Sequence, residues 1–335
     1  MTHFQPRMYV LLLLLLFCGL LVPRATLAAP VSCTASMSGV TFGSIDFING
    51  LVSTSNPTLS YICTNTSNQR RYVNVCFNIN AGTQSSGIDP RNMTNGAGDS
   101  LQFQLYQNPG NPPSNPWGSV TQGGPDTPLE VTTSVPGNGN ITGSATVYGY
   151  LFPGQTTPPA GSYQDAFTGS QTMISLKSSK NKMPASCGTA SAGTFPFTVT
   201  ATIIKSCKVT ASPDLNLGSV AATTTNITGN NFINVACTNG TPYYVGLSPS
   251  NGGTGGAGLM KGTGSNVDKV PYQLRSTAGL GGTIWGNTAT STIVGNGVAG
   301  NGNGTTQPLT VYATVASANY TPDTYTDTVT INVNY

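Results

Sequence analysis

Two cysteine pairs, each set thirty residues apart, constrain this chain more than any other feature. Cys33 and Cys63 bracket one interval, Cys207 and Cys237 the other, and neither holds a third cysteine. Directly ahead of Cys207 runs "FTVTATIIKSC", in which Phe197, Val199, Ala201 and Ile203 fall on one side of an extended strand and Thr198, Thr200 and Thr202 on the other. A period of two in a Thr-, Val- and Ile-rich stretch favours a pleated strand. The spacing pairs the cysteines within each interval, and each bridge stabilises by roughly 3 to 4 kcal/mol through loop-closure entropy. Cys76 and Cys187 remain, and joining them is the economical assignment.

Bridges of this kind need an oxidising compartment. His3 and Arg7 make a short polar start, residues 8–22 are almost wholly apolar, and the small Ala28 and Ala29 follow. That is the layout of a secretory signal peptide over residues 1–29, which removes Cys18 and leaves six of the 7 cysteines. The apolar run is short for a membrane span.

Other landmarks recur in the same order after each cysteine pair. "CTNT" at Cys63 answers "CTNG" at Cys237, and "LQFQLYQNPG" answers "VPYQLRSTAG", aligning Gln104-Leu105 with Gln273-Leu274. Trp117-Gly118 aligns with Trp285-Gly286, Tyr148 with Tyr312, Tyr163 with Tyr325 and Asp165 with Asp327. The chain therefore reads as one unit duplicated, at about 130 to 170 residues per copy. Short alternating runs near 33–42, 58–65, 72–79, 100–106, 144–151 and 163–176, separated by Gly and Pro turns, predict an all-β fold of two immunoglobulin-like sandwiches.

Such a sandwich has seven strands, and each unit offers six. Residues 196–204 supply the seventh to the first unit, which gives domains at 30–204 and 205–335. Nothing equivalent follows "YTDTVTINVNY", so the second sandwich is expected to be incomplete. An open sandwich leaves an apolar groove and unpaired edge amides, which invites a strand from another chain. Four alternating apolar side chains entering it would contribute roughly 6 to 10 kcal/mol.

Catalysis finds little to work with. Past the signal there is no His, Glu130 is the one glutamate, and the aspartates are scattered. A serine triad lacks its base, and cysteine chemistry lacks a free thiol. Without a CxxC pair no zinc site is expected, so neither metal nor cofactor is assigned. "NGGTGGAGLMKGTGS" lacks the Lys-Ser/Thr of a phosphate loop. Of 13 Lys and Arg, Arg7 and Arg24 precede cleavage, leaving eleven against 10 Asp and Glu, with no basic stripe for nucleic acid.

The cysteine and strand pattern, "YQLR" with "WGN", and the closing "YTDTVTINVNY" resemble spore coat protein U-like domains, the subunit domains of archaic, Csu-type chaperone-usher pili. In that family a donor strand ahead of the first cysteine completes the neighbouring subunit. The resemblance makes Phe197, Val199, Ala201 and Ile203 a donor strand used in cis. Only about four or five residues, through Pro30, Val31 and Ser32, lead to Cys33, too few to donate. A subunit that accepts but does not donate is a fibre's end, so the resemblance implies a two-domain tip adhesin for surface attachment and biofilm formation. Its implied partners are a periplasmic chaperone, an outer-membrane usher, the adjacent pilus subunit and an abiotic or host surface. Its place is the pilus tip at the cell surface.

For such a tip the loops near 65–71, 107–143 and 177–195 share the distal end. Stiff, apolar members of the last two, Pro112, Pro113, Trp117, Leu129, Val131, Val135, Met183 and Pro184, are the candidate contact residues, although Trp117 recurs as Trp285 and so also reads as a shared packing residue, and the alternating Leu129, Val131 and Val135 read equally as a small strand on the sandwich. A structural shaft subunit and a secreted lectin-like carbohydrate-binding module are the alternatives. The first needs a free donor strand, and sugar recognition would yield to added monosaccharide.

Overall fold

The computed structural model describes residues 29–51, 54–122, 126–211 and 213–335, so the signal-peptide assignment lies outside the described residues. Every regular element among them is a strand. The first sandwich contains a sheet of β1 (Val31–Met37), β4 (Thr58–Asn65) and β10 (Gly139–Thr146) in that order. A second sheet runs β2 (Val40–Ile45), β15 (Phe197–Ile203), β12 (Gly161–Phe167), β6 (Arg91–Thr94), β7 (Ser100–Asn108), β11 (Tyr148–Leu151) and β3 (Thr54–Ser55), with β8 (Ser114–Pro116) paired to β7. The third sheet orders β14 (Ser191–Gly193), β13 (Thr172–Ser179), β5 (Arg71–Ile79) and β9 (Leu129–Val135).

The second unit is leaner. One sheet is β16 (Cys207–Ala211), β17 (Thr225–Cys237), β22 (Thr306–Ser317), β20 (Lys269–Arg275) and β19 (Ala257–Lys261), and the other is β21 (Val298–Asn301), β18 (Pro242–Pro249) and β23 (Val329–Asn334).

Three sequence expectations change. The run 33–42 is two strands, because the chain leaves β4 after Met37 and pairs with β15 from Val40. The run 163–176 is likewise split, into β12 and β13, by a turn in which Gln171 N donates to Thr168 O at 2.9 Å. The segment 107–143 is not one loop but carries β8, β9 and the start of β10. Leu129, Val131 and Val135 alternate toward the core on β9, opposite Phe77, Val75 and Arg71 of β5.

The duplication is physical as well as sequential. Cys33 faces Cys63 across β1 and β4, and Cys207 faces Cys237 across β16 and β17, with Cα separations of 4.0 and 4.1 Å. Trp117 Nε1 donates to Phe77 O, and Trp285 Nε1 to Val245 O, each at 2.8 Å and each reaching a residue 40 positions upstream. Tyr163 and Tyr325 both turn their hydroxyls back to the carbonyl four residues earlier, at 2.8 and 2.7 Å. Such a tyrosine corner ties a loop to the sandwich in many immunoglobulin-like domains.

The first core also holds a charge. Arg91 is fully buried, donating to Asn80 O, Gln104 Oε1 and Trp117 O and lying 5.8 Å from the Phe167 ring centroid. Burial pulls its guanidinium down to about 10, against the opposing pull of Asp126, Asp165 and Asp89. Every donor nitrogen has a partner, which is what makes a buried cation tolerable.

Candidate functional site

Strand β15 shows what a closed sandwich requires. It runs parallel to β2 on one side and antiparallel to β12 on the other, with Gly161 opposite Ile203, Tyr163 opposite Ala201, Asp165 opposite Val199 and Phe167 opposite Phe197. Phe197, Val199, Ala201 and Ile203 are all buried, while the threonines between them face outward. The Phe197 ring stacks on Phe167 at 4.5 Å and lies parallel to Trp117 at 6.2 Å. This strand thus seals the core that its own domain otherwise leaves open.

The second unit has both walls of that slot. The β2 sequence "VTFGSI" corresponds to "LNLGSV" at 215–220, and Gly43 and Gly218 share a left-handed backbone, with φ of 71° and 79°. On the opposite wall, Tyr325 and Asp327 answer Tyr163 and Asp165. The bridge between Lys261 and Thr326 repeats the pairing of β6 with β12 at Thr94 and Gln164. Among the described residues no strand lies between these two walls. Since Thr326 spends its backbone groups on Lys261, those of Tyr325 and Asp327 alternate toward the open slot.

Exposure records the difference. Val40, Phe42 and Ile45 are buried, whereas Leu215 and Leu217 are half-buried and Val220 is 46% exposed. Tyr163 and Asp165 are buried, whereas Tyr325 and Asp327 are half-buried. Leu215 and Leu217 fold down over Gly229 of β17, where a Cβ would meet Leu217 Cδ2 at 3.0 Å and Leu215 Cδ2 at 3.2 Å. The carboxylate of Asp327 accepts from Tyr272 at 2.7 Å, and burial together with this bond pushes the Tyr272 phenol up. The arrangement can receive an extended apolar segment. Leu215, Leu217 and Val220 escaped the sequence reading, although "FGSI" and "LGSV" are a legible repeat.

The candidate contact residues fare differently. Trp117, Leu129 and Val135 are buried and Val131 is half-buried against the core, so these four do not present a finger to a surface. The reasons are the indole hydrogen bond and the pairing of β9 with β5. Pro113 is buried too, and Pro112 is exposed. The bridge between Cys76 and Cys187 draws residues 182–187 across the outer face of β5, where Asn74 Nδ2 donates to Pro184 O at 3.2 Å. Met183 is 38% exposed and Pro184 half-buried on that flank.

The Spore Coat Protein U domain matches residues 21–170 and again 193–332, so its second copy begins ahead of β15 even though β15 folds into the first sandwich. No curated protein matches the sequence. A chain of the CsuC-CsuE chaperone-tip adhesion subunit pre-assembly complex of Acinetobacter baumannii superposes with a TM-score of 0.53 at 19% identity, over 91% of this chain and 100% of that one. The CupB6 tip adhesin of Pseudomonas aeruginosa gives 0.34 at 10% identity, over 90% and 93%. With two matched segments spanning most of its length, the chain belongs to the Spore Coat Protein U domain family.

Proposed function

We propose that the chain is a non-catalytic tip adhesin of a chaperone-usher pilus. Its first domain, 30–204, is closed in cis by β15, and its second, 205–335, takes a strand from the next subunit. One observation carries the reading: the same slot is filled by Phe197, Val199, Ala201 and Ile203 in one sandwich and open between residues 215–220 and 323–328 in the other. The likeness to a chaperone-tip adhesion subunit complex supports it at the level of fold. A periplasmic chaperone would hold the slot before an outer-membrane usher exchanges it for the neighbour's strand. The product would be exported to the cell surface and serve attachment and biofilm growth.

The test adds a synthetic peptide of residues 197–204 to the mature protein. In the same register as the cis strand, whose Ala201 faces Tyr163 and Val199 faces Asp165, its Ala201 would lie opposite Tyr325 and its Val199 opposite Asp327. At a hundredfold excess over Kd the second domain's melting temperature should rise on the order of 10 °C. No shift at any peptide concentration would refute strand acceptance.

A further inference from the structure

The end of the first sandwich remote from its junction with the second carries an unbalanced charge. Past the bend at 168–171, Asn80 N donates to Gln171 O and Thr83 N to Ala166 O, so β12 and β13 continue one line beside β5 and its extension. Gly161 faces Ile203 where the chain leaves for the second domain, and Ser179 faces Tyr72 at the opposite end. The segments that build this far end, residues 64–74, 132–140 and 177–190, contain Arg70, Arg71, Lys177, Lys180 and Lys182 and no Asp or Glu. The one other cation of this domain is Arg91, which is buried.

The support beneath these charges is stiff. Buried Asn65 donates to Gln69 O at 2.8 Å and Pro136 O at 3.0 Å, and accepts from Ser67 N and Oγ. Asn138 N donates to Ser67 O at 2.7 Å, locking the 66–70 and 136–138 turns together. At Gly137 a Cβ would stand 2.4 Å from Asn68 O, so only glycine permits that contact. Arg70, Lys177, Lys180 and Lys182 are exposed, and half-buried Arg71 donates to Ser67 Oγ at 3.2 Å. Glu130, which lies further along β9, has its carboxylate engaged by Asn74 Nδ2 at 2.6 Å. The cavity of about 190 Å³ lies by the 168–171 bend, away from these cations.

We propose that this end is a cationic contact face for a flat solid surface bearing a dense array of oxyanions. The two turns are locked together by hydrogen bonds and the cavity lies elsewhere, so the cations stand on a fixed support, outside any pocket that could cradle a polymer. Long cationic side chains around that support then reach fixed negative sites without induced folding, and the attraction is strong only within about a Debye length, ~8 Å at physiological salt. The proposal rests on the first domain being the outer one of a surface-attaching tip.

Adsorption of the mature protein to bare silica and to methylated silica tests it, with the same preparation used for the peptide experiment. Charges facing an anionic surface are each worth about a fivefold change in affinity, so R70Q/K180Q/K182Q should weaken adsorption to bare silica roughly a hundredfold. Adsorption to methylated silica should not change. Raising the salt to about 1 M should release the wild-type protein from bare silica as well, which is independent of any variant's folding. Equal adsorption of variant and wild type, or insensitivity to salt, would overturn the proposal. Heparin capture that depends on these three residues while silica adsorption does not would assign the face to a soluble polyanion instead. Because peptide binding is read on the same sample, failure of the tip reading and failure of the contact face are separate results.

Discussion

Ser206 Oγ donates to Asp46 Oδ2 at 2.8 Å, tying the start of the second sandwich to the end of β2 in the first. Asn49 Nδ2 donates to both, at 2.8 Å each, while the amides of Ile48 and Asn49 reach Asp46 Oδ1. Beside this cluster Ile204 N donates to Ile45 O, and Asn239 Nδ2 to Thr157 O. The junction is therefore a set of directional bonds, most of them at least part-buried.

Its pH dependence follows from Asp46. Burial pushes the carboxyl up, but donors from Asn49, Ser206 and the two amides outweigh it and hold the group below the usual range. A depressed folded value means that the stabilisation is complete above the unfolded value of about 3.9 and fades as pH falls through the folded one. Domain orientation, followed by small-angle scattering, should stay constant from pH 8 to 5 and loosen only below about pH 4. D46A should cost about 2 to 3 kcal/mol in urea unfolding, because it strips a charged acceptor from several donors.

Trp117 and Trp285 predict matched losses. Each indole satisfies a buried carbonyl, so W117F and W285F should each cost about 1 to 3 kcal/mol, the first in the amino-terminal domain and the second in the carboxyl-terminal one. Calorimetry that resolves the two transitions checks the assignment. Loss confined to one domain for both variants would contradict the duplicated role.

Much of this was legible in the chain. The thirty-residue cysteine interval, the Trp-Gly pairs and the two Tyr corners record local geometry that a β-sandwich repeats wherever it occurs, and alternation in "FTVTATIIKSC" gave the buried face of β15. What the chain hid was context. Leu129, Val131 and Val135 read equally as an exposed finger or a strand, because periodicity says which residues share a face and not what covers it. The basic end was equally hidden, since the segments carrying Arg70 and Lys180 come together only where Tyr72 of β5 pairs with Ser179 of β13.

The tether between Cys76 and Cys187 closes a span of 111 residues and holds 182–187 against Asn74 of β5. Loop-closure entropy for a span of this length is roughly 4 to 5 kcal/mol. C76S/C187S should lose about that much in the first domain. Hydrogen exchange at residues 180–190 should rise, while the second domain is unchanged.

Phe197 is where the closing strand meets the aromatic core, stacked with Phe167 and aligned with Trp117. F197A should cost about 3 to 5 kcal/mol in the first domain. If β15 acts as a separable strand, added peptide of residues 197–204 should recover part of that loss, measured as a rise in the first domain's melting temperature.

Val220 separates a slot that receives a strand from one that is merely a surface dent. Its counterpart Ile45 is buried beside β15, yet Val220 is 46% exposed with the slot open. V220D should therefore leave the free protein within about 0.5 kcal/mol of wild type, as surface changes do. Peptide binding would force the new carboxylate against an apolar strand, so Kd should rise at least about tenfold, by far more than for V267D. Val267 is 86% exposed and lies on neither wall of the slot, so its substitution should alter neither stability nor affinity. Titration by fluorescence anisotropy with labelled peptide distinguishes the two variants, and equal affinity for both would place the strand somewhere other than beside residues 215–220.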